Sequence, residues 1–338
     1  MFASVRTPER TRTATSRKRI TEQIKAKALS LGFAKVGVAH AERLTEDSEH
    51  LMEWLYRGYH GTMEWMSRNI EKRVDPREIL PNAQSIISVA MNYFTQVTEN
   101  CSVSHGSDAS TPIRISRYAW GDDYHDIVRE RLEQLQHWLS DLFPDSESKI
   151  YVDTGPVMEK VWAARSGIGW QGKHTNIISR EFGSWIFLGE ILTTLELEYD
   201  APALDHCGTC TRCIEACPTN AIVAPYVLNA SQCISYLTIE HRGELPDHLS
   251  GKLEGWVFGC DICQEVCPWN RFAKITQQPA FQPREATLRL TAEKASAMSE
   301  EEFRRRFQRS PVRRTKYAGF LRNVRAVLDK SRTSENAS

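Results

Sequence analysis

One run constrains this chain more than any other: Cys207-Gly208-Thr209-Cys210-Thr211-Arg212-Cys213-Ile214-Glu215-Ala216-Cys217-Pro218. Its spacing, C-x2-C-x2-C-x3-C-P, is that of a two-cluster iron–sulfur run. An incomplete second copy follows as Cys260-Asp261-Ile262-Cys263-Gln264-Glu265-Val266-Cys267-Pro268, and Cys233 lies between the two. These are eight of the nine cysteines; Cys101 stands apart and reads as a bystander. A [4Fe–4S] cube takes four thiolates, and in such runs the fourth cysteine serves the other cluster. The expected ligand sets are therefore crossed: Cys207, Cys210, Cys213 and Cys267 for one cluster, Cys217, Cys233, Cys260 and Cys263 for the second. Pro218 and Pro268 redirect the chain after each final ligand, since proline fixes φ and donates no hydrogen bond. Structural zinc would favour paired C-x2-C knuckles with longer spacers. Disulfides suit a small secreted chain, and at 338 residues this one is not small.

Length predicts two or three domains. The 41% hydrophobic and 25% charged content is that of a globular chain with ample core. Formal net charge is zero, so only local charge speaks of partners. No apolar run approaches the roughly 18 residues of a membrane helix, so no membrane contact is expected. The N-terminus, Met1 to Arg19, is rich in Arg, Ser and Thr but has no apolar stretch of a secretory signal behind it. It reads as a floppy tail over 1–17, with an organelle transit peptide as the other possibility. Thiolate ligands need a reducing compartment, and a cytoplasmic location is expected.

Along the chain, Ile20, Ile24, Ala28 and Leu31 recur at helical spacing and Gly32 is a stop. A short strand follows at 34–39, a helix at 48–57, and then a loop, Gly58-Tyr59-His60-Gly61-Thr62-Met63-Glu64-Trp65-Met66. Residues 85–93 read as a central strand and 98–112 as a loop. The helix 124–142 carries the stripe Val128, Leu132, Leu135, Leu139 and Leu142. A strand at 149–152 ends in Asp153-Thr154-Gly155-Pro156, with Pro156 as the first residue of a helix that ends near Gly167. Residues 184–194 form another strand. The expected domains are thus a helix-and-strand unit over 18–195, a cluster unit over 196–280 and a basic helical segment over 281–338.

Asp153 has two readings: a carboxylate that caps or faces a helix N-terminus, or a catalytic acid whose protonation is set by burial against a cofactor. The Gly167–Asn176 stretch could be turn chemistry, or a backbone lying close to a flat cofactor with Lys173, His174 and Asn176 at its polar edges. His125 reads as a hydrogen-bonding surface group rather than a metal ligand. Nine cations fall between Phe303 and Arg325, among them Arg304, Arg305, Arg306, Arg313 and Arg314, with no acidic residue between them. Such a run attracts phosphates, and Phe307, Tyr317 and Phe320 could stack on bases; the alternative is a solvated face whose aromatics are core.

Taken in order, several segments resemble one family, the cobalamin-dependent epoxyqueuosine reductases of tRNA modification. They are Gly58-Tyr59-His60-Gly61 with Met63-Glu64-Trp65-Met66, Arg73-Val74-Asp75-Pro76-Arg77, Arg117-Tyr118-Ala119 through Asp123-Tyr124-His125, Val152-Asp153-Thr154-Gly155-Pro156, Gly167-Ile168-Gly169-Trp170 with Gly172-Lys173 and Asn176, Gly189-Glu190, Thr238-Ile239-Glu240-His241-Arg242-Gly243, and the cysteine set. The stretch from Pro311 to Val327 resembles the start of the family's C-terminal helical repeats, which longer members continue. More distantly the chain is similar to reductive dehalogenases, which usually carry a twin-arginine export signal.

The resemblance implies an α+β fold: a nitroreductase-like domain for cobalamin, then a ferredoxin-like domain with two [4Fe–4S] clusters. Cobalamin is expected with its own base displaced and no histidine in its place, since Asp123-Tyr124-His125 is followed by Asp126, Ile127 and Val128. The implied reaction is the two-electron reduction of epoxyqueuosine to queuosine in tRNA. Electrons from an external low-potential donor of ferredoxin or flavodoxin type pass through the clusters to a strongly nucleophilic Co(I). Asp153 is the implied proton donor. Cofactor contacts are implied for Arg73, Tyr124, Asp153, Lys173, Asn176, Ile177, Ser235 and Asp261, and tRNA contact for Arg242. Two other readings compete: a corrinoid reductase of small molecules such as a dehalogenase, and a non-enzymatic electron carrier.

Overall fold

The computed structural model describes residues 9–96 and 111–335; Cys101 lies outside them. Four strands form an antiparallel sheet: β1 (Lys35–His40), β2 (Ser85–Asn92), β3 (Ser148–Tyr151) and β4 (Ile186–Thr193), in the order β1-β2-β4-β3. All eight residues of β2 are buried, as its run Ser-Ile-Ile-Ser-Val-Ala-Met-Asn requires of a strand covered on both faces. The helix Tyr124–Leu142 lays Val128, Leu132, Leu135 and Leu139 on β4. Burial of each large aliphatic side chain there is worth about 1.5–3 kcal/mol. Gly189 permits the close approach, because a Cβ on it would stand 2.9 Å from Leu132 and 3.0 Å from Val128.

Local boundaries depart from expectation where tertiary contacts decide. The first helix spans Glu9–Ser30, so it starts inside the stretch expected to be a disordered tail. Gly32 ends that region in a left-handed conformation (φ 92°), the role expected of it. Pro156 is not the first residue of a helix: the helix is Glu159–Arg165, and Met158 precedes it. Asp153 therefore caps nothing.

A second core joins the cluster region to the C-terminal segment. Leu237, Trp256 and Phe258 pack with Phe303, Phe307, Phe320 and Val324. The buried Asn323 of helix Lys316–Glu335 ties them by donating to the carbonyls of Thr238 and Val257, each at 2.9 Å. Phe307 and Phe320 are 1% and 0% exposed, and the Tyr317 hydroxyl donates to the Met298 carbonyl. These aromatics pack in this core, which overturns the expectation that they stack on bases.

Candidate active site

A cleft of about 1710 Å3 lies between the sheet domain and the cluster region. That exceeds the roughly 300–1,000 Å3 of a site for a drug-sized ligand and leaves room for a large cofactor with a second reactant above it. Its lining brings together the thiols of Cys217, Cys233, Cys260 and Cys263 with Tyr124, His125 and Asp153. The other four cysteines, Cys207, Cys210, Cys213 and Cys267, line a separate cavity of about 350 Å3. The chain's folding thus separates the eight thiols into the two crossed sets.

Electrostatic coupling runs mostly within these two sets, with Cys263 also feeling Cys213. The thiol of Cys267 feels Cys207, Cys213 and Cys210. That of Cys260 feels Cys233 and Cys263, and that of Cys233 feels Cys217. Burial pushes the thiols of Cys207, Cys213, Cys233, Cys260, Cys263 and Cys267 up, so unliganded they stay neutral. A cationic cluster core supplies the counter-charge that a thiolate needs there. Among the described residues no three His, Cys, Asp or Glu side chains converge on the position of a single metal ion. Thiols arrayed around a wide chamber fit a cube better than zinc.

Asp153 follows β3 in a tight bend, with φ at 57° and the Thr154 amide donating to the Val152 carbonyl at 2.6 Å. Left-handed backbone is costly for a non-glycine residue and persists where the surroundings enforce it. Part of that enforcement is Glu159, which accepts from the Asp153 amide at 2.5 Å. The Asp153 carboxylate lies 3.3 Å from His125 Nε2, while His125 Nδ1 is 2.7 Å from Asp123. Asp123 caps the helix Tyr124–Leu142 through the His125 amide. A column of rings fixes the imidazole: Tyr124 stacks on His125 at 4.1 Å and on Phe187 at 4.3 Å, and Phe187 on Tyr93 at 4.3 Å.

Protonation here is set by the pair that Asp153 forms with His125. Burial pushes the Asp153 carboxyl up, but the hydrogen bond and charge of His125, a Tyr124 hydrogen bond and the Lys160 ammonium together hold it below the usual carboxylate range. Protein surrounds Asp153 on most sides, yet its side chain is 60% exposed, as befits a group on the floor of an open cleft. For His125 burial alone would lower the pKa, but its two carboxylate partners raise it to about 9. The proton that the sequence reading put on Asp153 therefore sits on His125 in the open cleft. Behind them Glu190, fully buried opposite Ser88 and Tyr151 in the sheet, is held neutral by burial and by the charge of Glu159. Burial and the charge of Asp153 raise Glu159 itself to about 7.

Of the expected cofactor contacts, Arg73, Tyr124, Asp153, Asn176, Ile177 and Ser235 line the cleft. Arg73 spends its guanidinium on the loop, donating to the Trp65 carbonyl at 2.9 Å and to the Arg68 carbonyl at 3.3 Å. Two expected contacts lie elsewhere. The Lys173 ammonium donates to the carbonyls of Gly208 (2.6 Å) and Cys210 (3.0 Å), at the smaller cavity. Asp261 is 1% exposed and its carboxylate accepts from the Ser116 hydroxyl and, at 2.7 Å, from the Arg117 amide. Gly169 serves packing rather than a cofactor face, since a Cβ there would meet the Ile178 carbonyl at 2.3 Å. His125, Glu159 and Lys160 join the site without having been singled out as such. The Asp123-Tyr124-His125 triplet at a helix start was the available signal. Lys160 reaches the cleft from the helix Glu159–Arg165, bound to Asn176 at 3.0 Å.

The basic segment splits. Arg309, Arg313 and Arg314 line the cleft, whereas Arg304, Arg305 and Arg306 do not. Arg304 pairs with Glu300 one turn earlier at 2.7 Å. Arg314 bridges Glu240 (2.9 Å) and the ring of Trp65, 5.3 Å away. Arg242 braces it by donating to the Arg314 carbonyl at 3.1 Å.

Comparison with known proteins follows the same division. Residues 73–154 match the family described as "Epoxyqueuosine reductase QueG, DUF1730", and residues 206–270 match the "4Fe-4S double cluster binding domain". An epoxyqueuosine reductase of Cellulophaga algicola is 43% identical over 304 residues, covering 90% of this chain and 96% of its own. One from Synechocystis is 46% identical over 297 residues, covering 87% of this chain and 100% of its own. A crystal structure of an epoxyqueuosine reductase with an epoxyqueuosine-modified tRNA-Tyr stem loop superposes with TM-score 0.86 at 33% identity, covering 92% of this chain and 81% of that one. With such identity over nearly the whole of these relatives, the chain belongs to the epoxyqueuosine reductase family.

Proposed function

We propose that this protein reduces epoxyqueuosine in tRNA to queuosine, with a base-off cobalamin in the 1710 Å3 cleft and two [4Fe–4S] clusters behind it. The observation that carries this reading is that one cleft is lined both by the thiols of Cys217, Cys233, Cys260 and Cys263 and by the His125–Asp153 couple. Cobalamin, when bound, supplies the two-electron chemistry at the epoxide carbon. Cys217, Cys233, Cys260 and Cys263 hold the cluster at the cleft, and Cys207, Cys210, Cys213 and Cys267 the outer one. Tyr124, Asn176, Ile177 and Ser235 form the cofactor's walls. An external low-potential donor of ferredoxin or flavodoxin type loads the outer cluster.

Converting the epoxide to an alkene consumes two electrons and two protons and releases the oxygen as water. Protons are this chain's task. His125 carries one at neutral pH and shares it with Asp153 across 3.3 Å; the second is taken up from bulk solvent. Filling the cleft displaces water from that ion pair. Desolvation penalises its charged form and moves the proton from His125 onto Asp153, which then acts as the acid. Glu159 keeps the Asp153 backbone in its bend. The tRNA backbone follows Arg309, Arg313 and Arg314 at the rim, with Arg242 holding Arg314 in place.

The test incubates anaerobically reconstituted protein, cobalamin and a chemical reductant with epoxyqueuosine-containing tRNA, then digests the RNA for mass analysis. Queuosine, one oxygen lighter, is the expected product. Unchanged epoxyqueuosine with both clusters and cobalamin loaded would overturn the reading. No observation favours a small-molecule reductase or a plain electron carrier.

A further inference from the structure

His174 has no part in the proton chemistry, yet its surroundings are closely constrained. It lines the large cleft and the smaller cavity alike, so it stands between the two groups of four thiols. It is 3% exposed. A tight turn holds it: the Gly172 amide donates to the Asn176 carbonyl and the Thr175 amide to the Gly172 carbonyl, both at 2.8 Å, with Thr175 left-handed at φ 66°. A Cβ on Gly172 would sit 3.1 Å from the imidazole Cε1, so the ring is closely packed there.

The tautomer follows from the hydrogen bonds. Nδ1 accepts from the Asn176 amide at 3.2 Å, which leaves the ring proton on Nε2. Burial, reinforced by the charge of Lys160, lowers the pKa to about 4, so the ring is neutral. Nε2 is a buried donor with no partner among the described residues. A buried N–H without an acceptor costs about 1–3 kcal/mol, and native proteins seldom leave one so. Both cavities are lined by cysteine sulfurs, which accept hydrogen bonds.

We propose that His174 donates its Nε2–H to a sulfur of one of the two clusters and thereby raises that cluster's reduction potential within the relay. A hydrogen bond to sulfur stabilises the more negative, reduced cluster, and such bonds are among the means by which proteins set potentials. The neighbouring Lys173 contributes differently, by bonding the carbonyls of Gly208 and Cys210 and so fixing the loop of the outer cluster. The inference rests on the reading that the two cavities hold the clusters.

The experiment is a potentiometric titration followed by EPR on wild type, His174→Phe and His174→Gln, each counted for iron. Glutamine can present an N–H near the position of Nε2; phenylalanine keeps the ring without the donor. In His174→Phe the expected result is one midpoint potential lowered by about 59 mV, a tenfold change in a one-electron equilibrium. The other potential stays unchanged, and His174→Gln recovers most of the shift. Two unchanged potentials in a His174→Phe protein with eight irons would overturn the proposal while leaving the cluster reading intact. A wild-type protein that does not hold eight irons would instead overturn the cluster reading and this inference with it. Should His174→Phe fail to assemble, His174→Ala takes its place; failure of both overturns a tuning role, since a residue that only tunes is dispensable for assembly.

Discussion

Two adjacent carboxylates decide what His125 can do. Asp123 holds one ring nitrogen at 2.7 Å and Asp153 stands 3.3 Å from the other, and together they outweigh the cost of burying an imidazolium. Because the folded pKa, about 9, lies above the ordinary value of 6.5, this contact stabilises the fold fully below pH 6.5. That stability fades as pH rises through 9. The difference in urea midpoint between wild type and His125→Gln, measured in protein free of cobalamin, should therefore shrink from pH 6.5 to pH 9.5. A constant difference over that range would mean that the folded histidine is not protonated. Asp153→Asn keeps the shape and hydrogen-bonding capacity of the side chain but cannot pass an acidic proton. It should retain both clusters and bind cobalamin, and turn over roughly 10²–10⁴-fold more slowly. Near-normal turnover would leave His125 as the sole acid. Loss of cobalamin binding would make the role of Asp153 structural.

At the scale of short elements, the placement of the cysteines follows helix packing. The four-residue helices Arg212–Glu215 and Ile262–Glu265 pack on each other and bring the ends of the two cysteine runs into exchange. Cys217→Ser should then degrade the cluster at the cleft, built with Cys233, Cys260 and Cys263, and spare the one formed by its sequence neighbours. EPR of the reduced variant distinguishes the two, and selective loss of the Cys207 cluster would refute the crossing. The grouping of the thiols on two cavities was legible in the sequence because spacing in a cluster run is itself geometric. The strands and the helix Tyr124–Leu142 were legible for a similar reason: buried β-branched runs and the stripe Val128, Leu132, Leu135, Leu139 report burial directly. What stayed hidden depends on contacts between distant segments. Asp153 and Asp123 meet only across His125, Lys173 reaches past the turn to Gly208, and Asp261 turns inward to Ser116. No local pattern encodes where such side chains point. The phenylalanines of the basic segment misled for the complementary reason: composition shows an aromatic but not which face of its helix is covered.

Across the whole molecule the charge balance is zero, so any attraction for a polyanion depends on placement. The fold puts Arg309, Arg313 and Arg314 on the cleft, while Arg304 is paired with Glu300 and Arg322 is turned inward to the carbonyls of Leu237, His241 and Gly243. Arg314 is a poor probe of phosphate contact, because its removal would also release Glu240 and Trp65. Arg309 and Arg313 are the better pair. Glutamine is the substitution of choice at Arg309, whose left-handed backbone (φ 52°) would be no more strained by it than by arginine. If both guanidinium groups meet tRNA phosphates, each contributes about −0.7 to −0.9 to the slope of log affinity against log salt. The double variant Arg309→Gln with Arg313→Gln should flatten that slope by roughly 1.4 to 1.8. Neutralising Arg304, Arg305 and Arg306 together, which the sequence offered alongside Arg313 and Arg314, should leave it nearly unchanged. The reverse pattern, with the triplet carrying the salt dependence, would move the tRNA path off the cleft rim and onto the outer face of the helix Glu300–Arg306.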